Sequence, residues 1–139
     1  MQLKYNKYHA VCISCQVPTL SDTKEGLAYR LVPDAFPTDN DFLPPAVMKP
    51  ERTFRSAEKR CSAYALSFFT SINSARAMQK KLARQIKAFR RMQCVAEVAV
   101  EPTDGKLSSA DSNGHFDLHE YENASLGSAV RTCHPVGSE

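Results

Sequence analysis

No apolar run in this 139-residue chain approaches the roughly 18 residues that a membrane-spanning helix needs, and mean hydropathy is negative. Internal repeats and low-complexity tracts are missing, which excludes solenoids and fibrous arrays. Tryptophan is absent. The motifs G-x-S-x-G, the Walker loop, G-x-G-x-x-G and H-E-x-x-H are absent too, so no nucleotide, dinucleotide or zinc-protease signature is available and no cofactor is expected. What remains is ordinary globular composition, 42% hydrophobic and 24% charged. Collagen-like, coiled-coil and fully disordered readings are thereby excluded. The length suits one domain over residues 1–139, large enough to fold without a disulfide or a metal.

Acidic residues are missing from one stretch altogether. Residues 59–96 carry nine Lys/Arg and no Asp or Glu, whereas residues 97–139 carry two basic and eight acidic residues. The net charge of +3 thus averages a basic middle with an acidic end. Five cysteines stand at 12, 15, 61, 94 and 133, an odd number. The start of the chain lacks the apolar stretch of a secretory signal, so reduced thiols and a cytoplasmic location are expected, in a protein of prokaryotic or phage type. Cys12-Ile13-Ser14-Cys15 has C-x-x-C form but no second such pair. It also falls in an expected strand, where positions three apart face opposite ways, so Cys12 and Cys15 read as small buried hydrophobes.

The expected fold class is α+β: a small mixed or antiparallel sheet of about four strands against one main amphipathic helix, with a long Pro-rich loop. The strands are expected at Tyr8–Val17, Ala63–Phe69, Cys94–Glu101 and His115–Tyr121. Residues 18–50 hold six of the eight prolines and read as an irregular excursion, with room for a short helix or strand near Leu27–Val32. Ser74 is the expected cap of a helix running to about Arg91. A short helix follows Asn123, and residues 134–139 are expected to fray.

On that helix, at about 100° per residue, Arg76, Lys80, Arg84, Lys87 and Arg91 form one stripe. Ala75, Met78, Leu82, Ile86 and Phe89 form an almost opposite one, which should dock on the sheet. No acid within the helix offsets the basic stripe. It suits plain solvation, an acidic protein surface, or the phosphate backbone of a nucleic acid bound without base readout.

The second pattern is Gly114-His115-Phe116-Asp117-Leu118-His119-Glu120-Tyr121. On a strand, His115, Asp117 and His119 share one face with Tyr121, while Phe116 and Leu118 face the core. Such a face is either the polar side of an edge strand or an acid–base site in which Asp117 orients an imidazole. His115 and His119 would lie roughly 13 Å apart at Cα, too far to close on one metal ion, so no metal is expected from them. Ser67 and Ser71 have no base partner identifiable from sequence. One resemblance is of placement and not of motif: small ADP-ribosyltransferase-like domains also set a histidine on a first strand and an aromatic residue or a serine on a second, as His9 and Tyr64 would be. It implies a transferase-type site at those two residues.

Two functional expectations follow. The first is a binding or accessory domain that meets a nucleic-acid backbone or an acidic protein through Arg76, Lys80, Arg84, Lys87 and Arg91. The second is a small enzyme or metal protein built on the His115–Tyr121 strand, with His115, Asp117 and His119, or, by the resemblance, ADP-ribosyltransferase-like with His9 and Tyr64. Whether His115, Asp117 and His119 line a concave pocket or a flat edge discriminates between them.

Overall fold

The computed structural model describes residues 3–5, 21–49, 53 and 62–137. The expected strand Tyr8–Val17, with His9, Cys12 and Cys15, lies outside them, as does Cys61. The described chain forms one antiparallel sheet of seven strands, not about four. They are β1 (Ser21–Asp22), β2 (Gly26–Val32), β3 (Leu66–Phe69), β4 (Cys94–Val100), β5 (Gly105–Leu107), β6 (His115–Glu120) and β7 (Val130–Pro135), in the spatial order β1-β5-β6-β3-β2-β4-β7.

The Pro-rich stretch is where expectation and structure differ most. The element allowed for near Leu27–Val32 is a strand, and it stands inside the sheet, not in a long loop: β2 pairs with β4 over its full length, from Gly26↔Val100 to Val32↔Cys94. The prolines of the stretch punctuate the elements. Pro33 follows β2 directly, and Pro45 opens a short helix, α1 (Pro45–Met48), at the position where a missing N–H costs nothing. Strand β7 was not expected. It pairs with β4 and carries His134 and Pro135, so these residues are ordered in the sheet and not frayed.

Alternation divides the sheet into two buried faces. Ala28, Val32, Leu66, Phe68, Ala96, Val98, Phe116 and Leu118 share one face, covered by Phe42 and Leu126 from two short 3-10 turns. Leu31, Phe69 and Val95 on the other face meet Ala75 of the main helix, α2 (Ile72–Ala83). Ser71, still extended, caps α2 by accepting a hydrogen bond from the Ser74 amide at 3.0 Å, so the cap stands three residues before the expected Ser74. Placing it there starts the helix soon enough to set Ala75 fully buried on the sheet.

The helix also ends earlier than its periodicity suggests. Ile86 is extended and a 3-10 turn follows at Lys87–Arg91. Arg90 Nε donates to the Ala83 carbonyl at 2.8 Å and satisfies one of the carbonyls that the helix end leaves open. This reversal packs Phe89 and Met92 against the Leu31, Phe69 and Val95 cluster. Ile86, expected on the docking stripe, is 43% exposed instead.

Among the described residues, no helix is long and apolar enough to cross a membrane. Cys94 and Cys133 are free thiols on neighbouring strands, and burial raises both above the ordinary thiol range.

Candidate functional site

The end of α2 at Ala83 divides the basic residues. Arg76 and Lys80 lie on the helix, Arg84 is its C-cap, and Lys87 and Arg91 sit on the following 3-10 turn. The single stripe obtained by continuing a helix to Arg91 therefore does not exist as drawn. Arg76 has a structural bond, from Nε to the Pro135 carbonyl at 3.0 Å. Lys80, Arg84, Lys87 and Arg91 are exposed, and among the described residues none is in an ion pair.

The histidine strand is not at an edge. β6 lies between β5 and β3, and its partner across the ladder supplies what the sequence did not reveal. Ser67 is opposite Asp117, and Phe69 is opposite His115. All four side chains share one face, and His115 Nε2 lies 3.0 Å from Ser67 Oγ on the diagonal between these pairs. The base partner missing for Ser67 in sequence is His115, 48 residues away. Phe69 meets the imidazole edge-on, with ring centroids 5.5 Å apart.

Two carboxylates flank that imidazole. Asp111 Oδ2 is 3.9 Å from Nδ1, and Asp117 Oδ1 is 3.8 Å from Nε2. Asp111 is fixed by its turn: its Oδ1 accepts from the amides of Asn113 (2.8 Å) and His115 (3.0 Å). Asp117 is more enclosed. Burial pushes its carboxyl up and Asp111 adds to the shift, while His115 and a hydrogen bond with the Ser62 side chain oppose it. A carboxyl raised in this way binds its proton more tightly in the folded than in the unfolded chain. Its contribution to stability is then greatest at low pH, and is lost as pH rises from the ordinary carboxylate range to the raised native value. Asp117→Asn is expected to flatten the stability profile across that window and to leave the neutral-pH stability no lower, as read from urea midpoints at a series of pH values.

His119, grouped with His115 and Asp117 by the alternation, is buried. It is not among the residues lining the cleft described next, so the three do not form one site. Among the described residues, no three His, Cys, Asp or Glu side chains gather as metal ligands. Tyr64 is in a turn before β3, with its ring 6.0 Å from that of Tyr5, and does not stand on a strand.

His115 and Ser67 open onto a cleft of about 490 Å³ between α2, α1 and the sheet. Its walls are mainly apolar, with Leu31, Leu43, Met48, Phe69, Met78, Leu82, Phe89 and Met92. Arg30, Ser67, Asp111 and His115 supply polar groups. Arg30 is there because β2 and β3 share only the Tyr29↔Phe69 register pair. Beyond it the guanidinium takes the place of the ladder: Nη1 donates to the Ser67 carbonyl and Nε to the Asp41 carbonyl, each at 2.9 Å. It also lies over the Phe42 and Phe68 rings, at 5.6 and 6.0 Å. Burial lowers Arg30 to about 10, against the opposing charges of Glu120 and Asp41, so it is still a cation at neutral pH.

Compared with protein-family models, with curated proteins and with solved structures, the chain finds no match.

Ser67 and Arg30 do leave a trace in the sequence. Each is a lone polar residue within an apolar strand, in Ala63-Tyr64-Ala65-Leu66-Ser67-Phe68-Phe69 and in Leu27-Ala28-Tyr29-Arg30-Leu31-Val32. Nothing in that trace connects either residue to His115.

Proposed function

We propose that this protein binds a small amphiphile, an apolar body carrying one polar group, in the cleft beneath α2, and that His115 is the acid–base group acting on it. The observation that carries this reading is the hydrogen-bonded Ser67–His115 pair in the wall of a largely apolar cleft of about 490 Å³. Small-molecule sites commonly have that character: an apolar lining, a volume of about 300–1,000 Å³ and a few convergent polar groups. The concave setting of His115 favours the enzyme alternative over the polar-edge reading of β6. It does so for His115 with Asp111 and Ser67, and without His119.

The polyanion reading has one observation in its favour. Lys80, Arg84, Lys87 and Arg91 are exposed and carry no ion pair among the described residues. It comes second because these cations follow two separate elements and Arg76 is engaged with Pro135.

The test uses 1-octanol and octanoate as probes, followed by NMR shift perturbation on the full chain. Saturable binding is expected, with shifts at Met78, Leu82, Phe89 and Met92. Leu82→Trp, which narrows the cleft, is expected to weaken binding tenfold or more with the circular dichroism unchanged. Absence of saturable binding, or binding indifferent to Leu82→Trp, would overturn the reading. Nucleic acid retained at low salt and released steeply as salt rises would bring forward Arg76, Lys80, Arg84, Lys87 and Arg91, with a log–log slope of about 0.9 per phosphate contact.

A further inference from the structure

We propose that Ser67 is a nucleophile and His115 its general base, so that the cleft hydrolyses esters of small apolar acyl groups. This rests on the ligand-binding reading above and gives it a reaction.

Four features support the pairing. First, the reacting atoms are in place: Ser67 Oγ and His115 Nε2 are 3.0 Å apart, within the reach that proton transfer requires. Second, Ser67 is the only exposed residue of β3, between buried neighbours, so its hydroxyl faces the cleft while the strand that carries it is held in the core. Third, His115 is positioned by its neighbours. The Phe69 and imidazole rings meet in a T-shape, Asp111 stands on the Nδ1 side, and the turn that begins β6 ties the His115 amide to the same Asp111. With its proton on Nδ1, towards Asp111, the imidazole presents the Nε2 lone pair to the serine. Once Nε2 takes a proton, the imidazolium lies between Asp111 and Asp117, at 3.9 and 3.8 Å. Fourth, Arg30, itself among the residues lining the cleft, donates from Nη1 to the Ser67 carbonyl and so fixes the backbone of the strand residue that carries the nucleophile.

The chemistry balances without redox change. Ser67 Oγ forms a bond to the ester carbonyl carbon as its proton passes to His115 Nε2. The carbon–alkoxy bond then breaks, and the departing oxygen takes the proton from His115 to leave as an alcohol, with the acyl group on Ser67. A water attacks that acyl carbon and gives one proton to His115. The bond to Ser67 Oγ breaks, Oγ recovers the proton, and the acid is released.

The probes are p-nitrophenyl butyrate and diisopropyl fluorophosphate, used on the full chain. A burst of p-nitrophenol and a single covalent adduct on Ser67 are expected. Ser67→Ala should abolish both. His115→Ala should slow hydrolysis by about 10²–10⁴-fold, the range for a lost general base. Octanol binding is measured alongside on the unsubstituted chain. Asp111→Asn keeps the oxygen that accepts from the turn amides and removes the charge. As a positioning residue, it should lower kcat with KM little changed. Hydrolysis that persists in Ser67→Ala, or an adduct elsewhere than Ser67, overturns the proposal. If octanol binding is intact in that case, the cleft is a binding site without this chemistry. If octanol binding and labelling both fail, the ligand-binding reading falls with it.

Discussion

Phe68→Ala is expected to destabilise the protein by about 3–5 kcal/mol, the cost of removing a large aromatic side chain from a packed interior. Phe68 is fully buried in β3, its ring centroid is 6.0 Å from that of Phe116, and the Arg30 guanidinium lies over it. The loss would therefore combine apolar burial, an aromatic pair and the support beneath a buried cation. Natural domains are stable by only about 5–15 kcal/mol, so a large part of the molecule would be unfolded at modest urea concentration. The measurement is the urea midpoint at unchanged slope. Phe68→Leu, which keeps most of the volume, should cost clearly less. A midpoint for Phe68→Ala within about 0.5 kcal/mol of the parent, the scale of surface changes, would show that this core does not bear on stability as described.

Gly114→Ala is expected to cost about 1–3 kcal/mol and to disconnect His115 from Ser67. Gly114 has φ +75°, in the left-handed region that costs an L-residue about 1–2 kcal/mol. A Cβ there would also stand 2.7 Å from Ser74 Oγ and 2.8 Å from Thr70 Oγ1. Relief requires the turn to move. That turn holds Thr70 through the Gly114 carbonyl at 2.9 Å, holds Asp111 through the Gly114 amide at 3.0 Å, and leads directly into His115. Stability and site geometry should therefore fail together: a lower urea midpoint, and loss of the NMR signature of the Ser67–His115 hydrogen bond. Gly26→Ala is the control, since a Cβ there meets nothing within 4 Å, and it should be close to neutral. Parity of the two alanine variants would contradict the strained-turn argument.

Where local chemistry decides, the sequence was sufficient. Alternation in Cys94–Val100 and His115–Glu120 specified both strands and the inward faces of Ala96, Val98, Phe116 and Leu118, because period-two patterning needs no distant information. The α+β class and the start of one main helix after β3 were legible for the same reason. Two errors came from extending a local rule too far. Proline density was read as a mostly irregular excursion with room for one short element, although Pro33 directly follows β2 and Pro44 and Pro45 open α1, where they fit. Helical periodicity was continued to Arg91, although its favourable pattern could not reveal that Phe89 and Met92 bury more by folding back.

The site itself depended on tertiary structure. His115 and Asp117 were visible as one polar face, but a strand face is the same whether it looks onto solvent or onto a cleft. Which it is depended on the position of β6 inside the sheet and on α2 and α1 beside it. Ser67 acquired a base only because β3 and β6 pair with Ser67 opposite Asp117, and a register shifted by one residue would have turned it to the other face. Arg30 reaches the cleft because β2 and β3 share a single register pair. His119 carries the same residue type and parity as His115 but is buried away from the cleft, since parity selects a face of a strand and not a position along it. The chain by itself therefore determined its strands, its inward-facing residues and its charge distribution, all set by neighbours within a few positions. Strand order, register and the helix end determined which polar groups meet, because they juxtapose residues such as Ser67 and His115, 48 positions apart, that no local pattern connects.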